Sequence, residues 1–140
     1  MKRLAVFVLF AASVALVLWV MSFPVLDGSG HGPGPQAAVQ VKIPELDHAE
    51  RAGALVFNDH CALCHGQDGA GGTGQGPPLV HQIYKPSHHA DGAFWLAVRN
   101  GVRAHHWTYG DMAPVPGLAD AEIVQIITYV RALQRANGIQ

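Results

Sequence analysis

Charge is scarce in this chain of 140 residues: Asp, Glu, Lys and Arg make up 14%, nine basic residues stand against ten acidic ones, and the formal net charge is −1. The few basic residues are scattered, so there is no basic stripe of the kind that nucleic-acid binding requires, and nucleic acid is excluded as a partner. No Gly-Lys-Ser/Thr follows Gly69-Ala70-Gly71-Gly72 and no strand precedes it, which removes a phosphate loop. Cysteine is scarcer still, with two, and methionine counts three. Glycine and proline are plentiful, at sixteen and nine, and collect in Asp27 to Pro35, Gly66 to Pro78 and Gly110 to Gly117. A single small domain with that much loop buries little apolar surface of its own, and a flat, apolar, covalently held cofactor would supply a centre.

Both cysteines fall in one stretch, Cys61-Ala62-Leu63-Cys64-His65. Two thiols three positions apart can each add across one vinyl group of a haem, and the next imidazole then lies under the ring as an iron ligand. A redox dithiol would need a strand before the motif, whereas Ala49 to Phe57 reads as helix. A structural zinc site normally takes four Cys or His ligands, and adjacent Cys64 and His65 rarely both reach one metal.

The amino terminus bears on compartment. After Lys2 and Arg3, Leu4 to Leu26 runs without a charge. At about 1.5 Å per residue that is enough to cross a hydrocarbon core of ~30 Å, and too long for the apolar region of a secretory signal. Residues 1–26 therefore read as an uncleaved membrane anchor, with a removed signal peptide as the alternative. Either way Lys2 and Arg3 stay inside and the carboxyl-terminal domain is exported. Residues 27–43 read as a flexible linker and 44–140 as the globular domain.

Within that domain the periodicity predicts helices. Asp47 is a candidate cap with Glu50 three residues on, and Ala49, Gly53, Val56 and Phe57 recur at helical spacing. Gly53 in mid-helix either marks a close approach of another helix, with Tyr129 or a neighbour meeting the gap, or is a tolerated glycine. Asp91 to Asn100 reads as a short helix opened by Asp91 and stopped by Gly101, with Phe94 and Val98 on its apolar side and Trp95 in the core. Ile123, Ile126, Ile127, Val130 and Leu133 line one face of a final helix, opened by Asp120 and Glu122 and closed by Arg131 and Arg135 in accord with the helix dipole.

Met1 and Met21 belong to the apolar segment, which leaves Met112 as the methionine available to a haem. It follows Gly110 and Asp111 and precedes Pro114 and Pro116, in backbone stiff enough to hold a thioether on iron without a helix. His81, His88 and His89 read as surface or loop residues. His105 and His106 either face solvent, line the haem edge or compete for iron, and the His pairs also offer imidazole to a second metal such as copper.

The order helix, Cys-x-x-Cys-His, glycine loop, Gly-Pro-x-Leu, helix, Met-x-Pro, long helix resembles the class I cytochrome c family over Leu46 to Arg135. The resemblance implies an all-α cytochrome c fold, three to four helices around one covalently bound haem c, added to the amino-terminal transmembrane helix. It implies thioethers at Cys61 and Cys64, His65 as proximal ligand, the Pro77 carbonyl accepting the His65 Nδ1–H bond, and Met112 as distal ligand. A His/Met iron has no free position for substrate, so the function expected is one-electron transfer and not enzymatic catalysis. The expected carrier is held in the cytoplasmic membrane by residues 4–26, faces the periplasm, exchanges electrons with membrane respiratory complexes and has no small-molecule substrate. A haem-based sensor and an accessory cytochrome subunit of an oxidase or reductase are the alternatives.

Overall fold

The computed structural model describes residues 38–72 and 74–140. The expected anchor and most of the expected linker lie outside them. Among the described residues no helix is long and apolar enough to cross a membrane, and the regular structure is helical: α1 (His48–His60), the single-turn α2 (Ala62–His65), α3 (Asp91–Asn100) and α4 (Asp120–Ala136), with short 3-10 turns at Gln67–Gly69 and Gln82–Tyr84.

Helix α1 starts where the sequence signals. The Asp47 carboxylate accepts from Glu50 N–H at 2.8 Å and the Glu50 carboxylate accepts from Asp47 N–H at 2.9 Å, satisfying two donors that a helix start otherwise leaves to water. Of the expected apolar positions, Gly53 and Phe57 are buried, Val56 is half-buried and Ala49 is exposed. The inward face of α1 is therefore narrower than its spacing suggests. Helix α4 buries Ile123, Ile126, Ile127, Val130 and Leu133 as expected, and Tyr129 as well.

The α1–α4 contact is the centre of the core. Phe57 and Tyr129 meet edge to face with ring centroids 5.6 Å apart, a favoured aromatic geometry. Gly53 permits the approach: a Cβ there would lie 2.0 Å from the Gln125 carbonyl oxygen and 2.9 Å from Tyr129 Cβ. Both obstacles are parts of α4 itself, so no rotamer change relieves them. Gly53→Ala should cost about 1–3 kcal/mol, the usual range for overpacking a tight contact. Chemical denaturation of the haem-loaded protein measures this, and an unchanged midpoint would refute the close crossing.

Two expected caps are different in the structure. Helix α3 is preceded by Ala90 and α4 by Ala119, so Asp91 and Asp120 are first helical residues and not caps. Their carboxylates are drawn away by arginines on other segments: Asp91 accepts from Arg131 Nε at 2.7 Å, and Asp120 pairs with Arg99. At α4 only the reciprocal half of a capping box is present: Glu122 accepts from Ala119 N–H at 2.7 Å, while the Glu122 N–H, which a cap side chain would meet, donates to Ala119 O at 3.1 Å.

Arg131 itself departs from expectation. Instead of facing solvent at a helix end it is 7% exposed, beside Gln134 at 1%. Its guanidinium donates to Tyr84 O at 2.8 Å, His89 O at 2.5 Å and Gln134 Oε1 at 2.5 Å, and lies 4.8 Å over the Phe94 ring. Gln134 Nε2 donates to Leu79 O at 2.9 Å and Tyr84 O at 3.2 Å. The irregular segment between the glycine loop and α3 is thus held on α4 by two polar side chains that satisfy its carbonyls.

The last residues of the expected linker are docked chain. Ala38 and Val39 N–H donate to Ala70 O, Lys42 exchanges hydrogen bonds with the Asn137 side chain, and Val41 and Ile43 pack on the core. Val41 and Ile43 are the apolar residues that end the glycine-rich composition, so the tether stops earlier than composition implies.

Candidate functional site

The Cys-x-x-Cys-His stretch is wound onto the end of α1. Cys61 N–H donates to Phe57 O at 2.8 Å, and the N–H groups of Cys64 and His65 donate to Cys61 O at 3.1 and 2.9 Å. The motif is therefore fixed relative to Phe57, the residue that packs on Tyr129. Burial, and then the neighbouring Cys64, push the Cys61 thiol up to about 11. A redox dithiol needs the opposite shift, which weighs against that reading.

His65 is half-buried, and its Nδ1–H donates to Pro77 O at 2.9 Å. Burial holds its pKa below the ordinary imidazole value, opposed in part by that bond. The ring is thus neutral near pH 7, fixed in orientation, with its Nε2 lone pair available to a metal. Gly76 makes the arrangement possible, and its role was not read from the sequence. A Cβ on Gly76 would stand 2.9 Å from Cys64 O and 3.3 Å from His65 Nδ1, between the motif and the proline that steadies it.

The glycine loop is ordered by specific bonds. Gly71 N–H donates to His65 O at 2.6 Å and Leu79 N–H donates to Gly69 O at 2.8 Å. Asp68, at φ +55°, accepts from the Tyr129 hydroxyl at 2.6 Å. Burial, then the Asp68 bond and charge, raise the Tyr129 pKa, so the phenol stays a donor. The loop that closes over His65 is thereby anchored to α4.

Met112 is half-buried in the segment between α3 and α4, and its backbone is held by a two-residue antiparallel bridge. Val102 N–H donates to Met112 O and Met112 N–H donates to Val102 O, each at 2.9 Å. Ala104 N–H donates to Asp111 Oδ1 at 2.8 Å, and Val115 N–H donates to Val98 O at 2.9 Å, which ties the segment to α3. Gly101, at φ +73°, admits the bridge, because a Cβ there would meet Met112 O at 2.3 Å. Backbone pairing and the prolines together stiffen the methionine's surroundings.

Trp95 packs against the core as expected while staying half-buried, and it carries the Arg99 guanidinium 5.3 Å from its ring centroid. Trp107 holds the buried indole N–H that has no hydrogen-bond partner among the described residues. That N–H comes near enough to the Tyr84 hydroxyl to temper the upward push of burial on the phenol, without a hydrogen bond of proper geometry. A buried donor left unpaired is costly and calls for an acceptor.

A carboxylate-bearing iron porphyrin fits this donor set. Two thiols on one helical turn suit its vinyl groups, an imidazole with Nε2 available and a thioether suit its iron, and an unpaired indole N–H would suit a carboxylate. Helices wound around a Cys-x-x-Cys-His turn define the class of c-type haem domains. Residues 49–134, more than half of the chain, match the cytochrome c family, and the chain belongs to it. It is a haem-based electron carrier whose cysteine motif accords with covalent attachment. No curated protein sequence matches the chain significantly.

Proposed function

We propose that the protein is a single-haem, membrane-tethered carrier that passes one electron at a time between respiratory partners outside the cytoplasmic membrane, and that it is not an enzyme. The observation that carries this reading is the His65 Nδ1 to Pro77 O bond of 2.9 Å. It leaves the His65 Nε2 lone pair free to ligate an iron, and the Met112 segment, held by backbone bonds to Val102, would offer a thioether. When bound, the haem supplies an iron that changes oxidation state by one electron, and axial thioether ligation raises its potential.

The chain's own residues do the rest. Cys61 and Cys64 would hold the macrocycle covalently, Pro77 orients the His65 imidazole, and Met112 would offer its thioether to the iron. The unpaired Trp107 N–H would be a donor for a haem carboxylate. The charge-free run Leu4 to Leu26, with Lys2 and Arg3 before it, supports a single-pass anchor with the haem domain outside.

The test is a spectroelectrochemical titration of the purified full-length protein, followed by stopped-flow electron exchange. One haem per chain and a single one-electron step are expected. With a formal net charge of −1 there is little electrostatic steering, so the exchange rate should vary little with ionic strength. Ready CO binding by the reduced protein would replace the carrier reading with a ligand-binding one.

A further inference from the structure

Four histidines outside the haem motif converge between the chain before α3 and the segment carrying Met112. His88, His89 and His106 present ring nitrogens that all lie within 4.8 Å of one another. His105 stacks beside them, its centroid 4.2 Å from that of His106 and 6.0 Å from that of His89. Adjacent side chains usually diverge. Here His88 and His89 N–H both donate to Lys85 O at 2.9 Å, and the turn this closes brings the two imidazole centroids to 4.7 Å.

From this geometry we infer a tetrahedral divalent-metal site, of Zn2+ type, formed by His88, His89 and His106. The His88 Nε2 to His106 Nε2 distance is 3.3 Å. Two nitrogens each about 2.0–2.1 Å from a tetrahedral zinc ion stand about 3.3–3.4 Å apart. Cis ligands of a square-planar ion at the same bond length would stand about 2.8–3.0 Å apart, so the spacing favours zinc geometry over that of Cu2+. The widest separation in the trio, 4.8 Å, exceeds that tetrahedral edge by an amount that side-chain rotation in exposed loops covers.

The surrounding bonds prepare the rings. His89 Nδ1–H donates to Ile83 O at 2.8 Å, which leaves Nε2 as the free lone pair, and Arg131 holds the His89 carbonyl at 2.5 Å. An imidazole oriented through its other nitrogen is the usual arrangement at metal sites. His105 donates from Nδ1 to Arg103 O at 2.8 Å, so its Nε2 or a water completes the fourth position.

Occupancy would link the turn before α3 to the loop closed by the Val102–Met112 bridge. The site is independent of the haem assignment, since none of its ligands belongs to the motif, to Pro77 or to Met112.

The experiment titrates ZnSO4 into chelator-washed, full-length holoprotein by competition with a chromophoric chelator, in wild type, His88→Gln, His106→Gln and the double variant. One tight equivalent is expected in wild type, weakened at least tenfold by each single change and at least a hundredfold by both. His31, His48, His60 and His81 remain in every variant, so equal affinity across the series would place any binding elsewhere and overturn the site. Haem absorption checks that the variants fold. Should one fail, zinc K-edge absorption of the wild-type complex decides: imidazole nitrogens at about 2.0 Å are expected, and an all-oxygen shell would refute the proposal.

Discussion

Arg131→Ala should lower the stability of the haem-loaded protein by about 3 kcal/mol or more, the largest single-residue effect expected outside the haem ligands. The cause is not the ion pair with Asp91. The Asp91 side chain is 68% exposed and regains water once the arginine is gone, so that contact contributes within the ordinary surface range of about 0–1 kcal/mol. The loss arises at His89 O and Gln134 Oε1, which the guanidinium satisfies, and at the Phe94 ring it covers, whereas Tyr84 O loses one of two donors and keeps the Gln134 Nε2 bond. Each buried acceptor stranded by truncation costs about 1–3 kcal/mol, less where water enters. For a domain of about a hundred residues the midpoint should fall by on the order of 15 °C. Asp91→Asn is the control and should cost under about 1 kcal/mol. Arg131→Lys should recover only part of the loss, because a single ammonium cannot replace a planar fork bonded at three nitrogens. Equal destabilisation by Arg131→Ala and Asp91→Asn in calorimetry would show that the ion pair, and not the carbonyl network, holds the segment.

What was legible in the sequence is what is decided locally. The Asp47–Glu50 box needs only four consecutive residues, and the apolar stripe of α4 needs only the helical period. The Gly53 crossing was legible because a glycine in mid-helix carries a local cost that some distant contact must offset. Cys61, Cys64 and His65 announce themselves by spacing. Pro77 was placed only by the family resemblance, since nothing local tells which proline carbonyl faces an imidazole twelve positions earlier.

The misreadings share one physical origin. Arg131 and Asp91 have side chains long or exposed enough to answer a partner on another element, and each does so in place of the local role read for it, whereas Asp120 pairs with Arg99 while keeping its place in the first turn. Arg131 read as a dipole partner at a helix end because helix α4 alone does not reveal that Phe94, Tyr84 and His89 fold over it. The histidine trio was hidden similarly: His88 and His106 lie eighteen positions apart, on segments brought together by the Val102–Met112 bridge and the packing of α3. Gly101 was legible as the stop of α3, which its φ of +73° bears out, but its closeness to Met112 O was not, and Gly76 looked like one turn glycine among many until the neighbouring carbonyl was in place.

Met112→Ala should lower the reduction potential by on the order of a hundred millivolts or more and make the reduced protein bind CO, while leaving the fold largely intact. The argument turns on what holds the residue. Its backbone is fixed by the reciprocal 2.9 Å bonds with Val102, by the Ala104–Asp111 bond and by the Val115–Val98 bond, none of which involves the thioether. With Met112 as the proposed distal ligand, truncation removes the thioether without releasing the loop, and potential and ligand access should change far more than the unfolding midpoint. The histidines nearby are poorly placed to substitute. His105 Nδ1 is committed to Arg103 O, and His106 Nε2 lies 3.3 Å from His88 Nε2. An open axial position is thus expected in place of a second imidazole. CO binding separates the two outcomes: a lowered potential with no CO adduct would mean that His105 or His106 has swung onto the iron, and an unchanged potential would remove Met112 from the coordination sphere altogether.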